Sequence, residues 1–308
     1  MAPGRPVSGL AWATLGVVAF SGTLPATIFA LRGFDPLVVG AGRSVIAAAV
    51  AGATLLIWSR RLPPRRVLPQ LLLVAAGCGI GFGVLSALAL HQVSASHAAV
   101  VIGLLPVSTA AVAVVIGGER PSPLFWISSI AGAVVVIGFA LSEGAGSLTG
   151  ADVLLFVALA MAAVGYAAGG RLAREMPGRE VAAWGLVLAV PVALPISLIA
   201  LHGSAVHPVW VPVAGLLYVS VISTFVGFIP WYRGLALAGT ARASQTQLLQ
   251  PFLTVAWAML LLGERPGVAT PIAALLVCVC MATSVRARFV RKPALPTVTG
   301  SDRQGGVA

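Results

Sequence analysis

The sequence predicts an all-α integral membrane protein with ten transmembrane helices arranged as two inverted five-helix repeats. Three observations carry this reading: few charges in a very apolar chain, ten apolar windows of helix length, and a self-match at a fixed offset. The 308-residue chain is 59% hydrophobic and 9% charged, with mean hydropathy +1.02, whereas roughly a quarter of residues in soluble domains are charged. One crossing uses about 20 residues, so ten use about 200 and leave about 100 for two tails and nine loops. No room remains for a soluble catalytic domain. The net charge of +11 comes from short basic clusters between apolar runs, where positive charge orients spans rather than binding nucleic acid. Cys78, Cys278 and Cys280 lie inside apolar runs with no His or carboxylate at ligand spacing. Neither a disulfide framework nor a metal site is predicted, and no cofactor is implied.

Apolar windows bounded by Arg, Pro or Gly clusters place the spans at 8–30, 36–58, 67–90, 95–117, 124–141, 152–170, 181–201, 209–231, 242–262 and 268–285. The first follows Arg5 as a secretory signal would, but signal peptides have shorter apolar cores and nine further spans follow. With the amino terminus inside, sixteen of the 19 basic residues fall on the cytoplasmic side, including the cluster Arg60, Arg61, Arg65 and Arg66. Only Arg32 and Arg265 fall outside, and Arg43 lies within the membrane. Both termini are therefore expected in the cytoplasm. The single lysine, Lys292, hints at a GC-rich bacterial genome, and the expected location is the bacterial cytoplasmic membrane. Residues 288–308 read as a basic, disordered, membrane-proximal tail. All four histidines fall toward the outer half, and Trp58, Trp126, Trp184, Trp210 and Trp231 sit near span ends as interfacial anchors.

Leu104 through Pro121 and Leu249 through Pro266 match at nine of 18 positions with an offset of 145. The matches include Leu104/Leu249, Pro106/Pro251, Thr109/Thr254 and the endings Gly118-Glu119-Arg120-Pro121 and Gly263-Glu264-Arg265-Pro266. This spacing fits two copies of a five-helix unit, over 8–141 and 152–287. Five is odd, so the copies enter the membrane from opposite sides. The charges agree, because the loop holding Arg60, Arg61, Arg65 and Arg66 corresponds to one holding only His202 and His207.

These paired helix endings, together with Arg43 in the second helix, resemble the ten-helix EamA group of the drug/metabolite transporter superfamily over about residues 8–287. The resemblance implies a secondary transporter, commonly an exporter of amino acids, metabolites or drugs, with a central cavity between the halves. Its substrate would be a small molecule and its surroundings the lipid bilayer. The seventh helix departs from the symmetry, having no arginine to match Arg43.

Several residues are candidates for chemistry. Arg43 lies about 10 Å inside its span, and a guanidinium at the bilayer centre costs about 2.5 to 3.5 kcal/mol on insertion scales. It either anchors an anionic substrate group, such as a carboxylate, or bonds to carbonyls left free by irregular neighbours. Pro106 and Pro251 each remove a backbone donor at equivalent depth, which favours cavity lining or a hinge. Glu119 and Glu264 end those helices, as tie points for the following turns or as gating partners. His97 is a candidate for carrying a coupling proton. Polar and aromatic groups available for substrate contact are Ser108, Thr109, Tyr166, Ser223, Thr224, Gln247, Gln250 and Trp257, with Ser21, Thr23, Tyr232, Gln245 and Thr254 in reserve. Glycines 77, 79, 81 and 83 read as close-packing positions. The absence of a Gly-x4-Gly-Lys-Ser/Thr motif argues against ATP-driven pumping by this chain alone. A lipid- or prenyl-processing enzyme and a membrane assembly protein are the alternatives, although the intramembrane carboxylates are few for catalysis.

Overall fold

The computed structural model describes residues 6–58, 62–117, 120–143, 148–203, 209–238, 243–286 and 289–290. Among the described residues, ten helical spans run antiparallel in chain order. The first, α1, comprises Pro6–Ser21 and Thr23–Leu31, broken at Gly22, and α2 is Pro36–Trp58. Helix α3 covers Arg65–Leu90, and α4 comprises Ala95–Ile102 and Leu105–Gly117. Then come α5 (Pro123–Glu143), α6 (Gly150–Leu172), α7 (Gly178–Gly203) and α8 (Trp210–Ala238). Helix α9 joins Ser244–Leu249, Gln250–Trp257 and Ala258–Leu262, and α10 is Ala269–Arg286. Six of these spans are long and apolar enough to cross a membrane uninterrupted. The 23 residues of α2 reach about 34 Å at 1.5 Å per residue, which matches a hydrocarbon core of about 30 Å. The other four contain shorter apolar helices.

We call the end of the bundle where α1 begins the near end and the opposite end the far end. Helix pairing follows a two-fold pattern: α2 packs on α7, α4 on α9 and α5 on α10, each against its own counterpart. The contact of α1 with α8 is matched by that of α6 with α3. Exchanging the two sets of five helices preserves these main pairings, and the odd count makes α6 run opposite to α1. This is the inverted-repeat arrangement the offset predicted.

Packing uses small residues, because lipid gives helices no hydrophobic reason to associate and close backbone approach must supply dispersion instead. Gly77 of α3 shows how close that approach is. A Cβ there would lie 2.3 Å from the Met161 carbonyl and 2.8 Å from the Gly165 nitrogen of α6. Large apolar side chains face outward, among them Ile130 and Val134 of α5, Leu260 of α9 and Ile272 of α10. In water such a surface would aggregate; in a bilayer it faces lipid.

Four departures from plain α-helix concern function. Helix α3 contains a widened π turn over Ala75–Gly81, and α8 contains one over Tyr218–Val226. These coincide under the 145-residue offset. Helix α4 breaks at Gly103 and Leu104, just before Pro106, and α9 changes from 3-10 to α winding at Leu249 and Gln250, just before Pro251. Proline cannot donate to the carbonyl four residues back, so both helices loosen at the same repeat position. At the near end Arg120–Pro121 pairs antiparallel with Phe289–Val290. The tail beyond Val290 lies outside the described residues.

Candidate functional site

Two adjoining small cavities lie at the centre of the described bundle. The walls of the larger include Phe20 and Thr23 (α1), Arg43 (α2), Phe82 (α3), Tyr166 (α6) and Ser223 and Phe228 (α8). The smaller lies between α4 and α9, with Gly103, Pro106, Gln247, Pro251 and Thr254 in its lining. Leu105 and Gln250 face both.

Arg43 dominates the larger cavity. Its side chain is 3% exposed, its Nε donates to Thr224 Oγ1 at 2.8 Å, and its Nη1 has no hydrogen-bond partner. Among the described residues no carboxylate forms an ion pair with it. The guanidinium also lies 6.0 Å from the centre of the Phe82 ring, within reach of a weak cation–π attraction. Thr224 holds its place because the π turn lets its hydroxyl donate to the Val219 carbonyl, 2.6 Å away and five residues back. The next residue along α2, Ser44, donates to the Gly79 carbonyl in the other π turn. Adjacent residues of α2 therefore engage repeat-equivalent positions of α3 and α8.

An aromatic wall faces this charge. Phe20, Tyr166, Phe228 and Trp231 pack with ring centres 4.9 to 6.3 Å apart. Ser223 is hydrogen-bonded to Thr23, with the two hydroxyl oxygens 2.6 Å apart. Helix α9 is fixed to the break in α1 by Ser21, whose carbonyl accepts from Thr254 Oγ1 (2.8 Å) and whose hydroxyl accepts from Trp257 Nε1 (3.1 Å). Thr109 and Gln247 are buried with side-chain polar atoms that have no partner.

The structure thus brings Arg43, Tyr166, Ser223 and Gln250 to one cavity, and Pro106, Pro251, Gln247 and Gln250 to the other. Thr224 positions Arg43 from behind. Ser108, Thr109 and Trp257 lie outside the lining of both cavities. The Gln245 side chain and Glu119 fall outside what is described.

The far end is closed by polar contacts. The first turn of α4 has three amide N–H groups free of helical partners, and each has an acceptor: Ala95 donates to Glu264 Oε1 (2.9 Å), Ser96 to Glu264 Oε2 (3.0 Å) and His97 to Ser94 Oγ (3.1 Å). Glu264 reaches that position because Gly263, at φ 69°, ends α9 in a left-handed turn. His97 Nε2 lies 2.7 Å from Asp152 Oδ1, while Asp152 Oδ2 accepts from the Thr149 nitrogen (2.9 Å) and hydroxyl (2.7 Å) in a capping box at the start of α6. His97 lines neither cavity. Asp152 escaped the sequence reading, although Thr149-x-x-Asp152 before an apolar run carries the capping signal.

A ten-helix inverted-repeat bundle with a buried polar cavity at its centre is the architecture of a membrane transporter. The model of the EamA-like transporter family matches residues 7–141 and again 149–285, and the chain belongs to that family. Among its relatives, an uncharacterized transporter, YdeK, of Bacillus subtilis is 44% identical over 273 residues, covering 88% of this chain and 95% of its own. A probable terminal-alkyne amino-acid exporter of Streptantibioticus cattleyicolor is 28% identical over 268 residues, covering 84% and 88%. A crystal structure of another protein superposes with TM-score 0.65 at 20% identity, covering 91% of this chain and 98% of its own, and speaks for the fold alone. Membrane embedding and a small-molecule substrate follow from the family.

Proposed function

We propose that this protein is a secondary exporter of small zwitterionic or anionic metabolites of the amino-acid class, working by alternating access in a bacterial cytoplasmic membrane. The observation that carries the reading is Arg43: a buried guanidinium with an unpartnered nitrogen, on a cavity wall, with no carboxylate beside it among the described residues. A charge in that position has a strong demand for an anion, and a substrate carboxylate satisfies it with charge-assisted hydrogen bonds. The aromatic wall opposite suits an apolar side chain. The printed description of the Streptantibioticus relative, an amino-acid exporter, supports the same substrate class.

Residues 8–141 and 152–287 act in this reading as the two repeat units, exposing the cavity to each face in turn, with Pro106 and Pro251 as the yielding points of α4 and α9. The near end is cytoplasmic, as the distribution of basic residues favours. Movement against a gradient draws on an ion gradient, with protons the first to test, since the His97 ring lies 2.7 Å from the Asp152 carboxylate.

The experiment is uptake of radiolabelled leucine, phenylalanine and lysine into everted vesicles, with and without an imposed proton gradient. Saturable uptake of the neutral amino acids that falls in Arg43→Ala is expected. Flux of cationic drugs that lack a carboxylate, with none of the amino acids, or full activity of Arg43→Ala, would overturn the carboxylate role of Arg43. Turnover of a lipid without vectorial movement would replace transport by the enzyme reading.

A further inference from the structure

The assignment of Arg43 leaves the smaller cavity unused, and its polar lining has a distinct character. Gln247 is 2% exposed, and neither its Oε1 nor its Nε2 has a hydrogen-bond partner. Buried amides normally have their bonds filled, and one left open at both ends in a cavity wall is a strong demand for a ligand group. Pro106 cannot donate to the Ile102 carbonyl four residues back, whereas the Gln247 carbonyl is taken by the Gln250 nitrogen. All of these groups belong to residues lining the same space.

Gln247 Oε1 thus stands as an open acceptor, and no cationic residue lines this cavity. Such a wall suits a hydrogen-bond donor and does not repel positive charge. Across Leu105 and Gln250, which border both cavities, stands the positive Arg43. The two cavities differ in charge: one demands an anion, and the other holds no cation and offers an open acceptor.

We infer that Gln247 is a specificity-determining residue that receives the ammonium group of a zwitterionic substrate whose carboxylate lies on Arg43. The inference rests on the amino-acid reading above and adds to it how an amino acid is told from a plain carboxylic acid. Gln247 Oε1 accepts an ammonium hydrogen. A carboxylic acid without the amine leaves that acceptor dry and unpaired, which is how sites built for hydrogen bonding reject analogues lacking the donor.

Three six-carbon probes test this: hexanoate, norleucine and 6-aminohexanoate share a carboxylate and differ in whether and where they carry an ammonium. Their affinities are measured by calorimetry on the full chain in nanodiscs. Wild type should bind at least one amino compound more tightly than hexanoate by about tenfold, as expected for a hydrogen bond to a charged group. In Gln247→Met, of similar volume, the ratio should fall close to one; Gln247→Ala serves if that variant does not fold. Gln247→Glu, which keeps an acceptor oxygen, should restore the preference, a rescue that a purely structural role would not produce. A preference that survives in Gln247→Met, or a wild type that binds hexanoate as well as both amino compounds, overturns the inference and leaves Arg43 as carboxylate anchor. A wild type that binds none of the three overturns both readings.

Discussion

Helices α3 and α8 contain the same widened turn at the same repeat position and use it in opposite ways. Where α3 has Gly77, Gly79 and Gly81, the 145-residue offset gives α8 Ile222, Thr224 and Val226. Without side chains, the α3 turn lets α6 approach until backbones touch, and its Gly79 carbonyl accepts from Ser44. With side chains, the α8 turn presents Thr224 to Arg43 and Ser223 to the cavity. One backbone device therefore serves close packing in the first repeat and polar placement in the second. A wide turn frees carbonyls and shifts the helix face, and side-chain size alone decides which consequence is used.

Substitutions can break this comparison. The largest effect belongs to Gly77→Ala, whose methyl would meet the Met161 carbonyl and the Gly165 backbone, neither of which can turn aside. Overpacking of this kind should cost about 3 kcal/mol, read as a lower melting temperature of the detergent-solubilised protein; wild-type stability would show that α3 and α6 separate without penalty. Next comes Arg43→Ala, which should lower transport by roughly 10- to 100-fold while leaving the α3–α6 packing intact, the loss of a charge-assisted bond being about 1.5 to 3 kcal/mol. Arg43→Lys should fall between, because a lysine cannot reproduce the Nε bond and a planar contact at once. Thr224→Val should follow at about tenfold, seen as a raised KM, with Thr224→Ser nearly normal. The smallest effect is reserved for Gly138→Ala on the lipid-facing side of α5, where an added methyl meets nothing within 4 Å. Its melting temperature should stay within the equivalent of about 0.5 kcal/mol, marking what a glycine without a close neighbour contributes.

Composition and periodicity were sufficient for the ten spans, because the membrane permits few alternatives to an apolar helix. The self-match at 145 gave the two repeats, since Pro106/Pro251 and Glu119/Glu264 lie at fixed places in the unit. Arg43 was legible as a charge at membrane depth. The π turns were not, because α and π winding differ by one step in hydrogen-bond register and tertiary contacts decide between them. Tyr218–Val226 reads as plain apolar helix. The isolation of Gln247 was also hidden, because Gln245, Gln247 and Gln250 look alike until packing removes the partners of one. Phe20, Phe82 and Phe228 could not be told from ordinary membrane aromatics until the cavity was drawn between them.

Glu264 joins the two repeats by a contact that neither could make alone. Its carboxylate grips the start of α4 from the end of α9, so parting these helices surrenders two charge-assisted bonds, at about 1.5 kcal/mol for each half-buried bond.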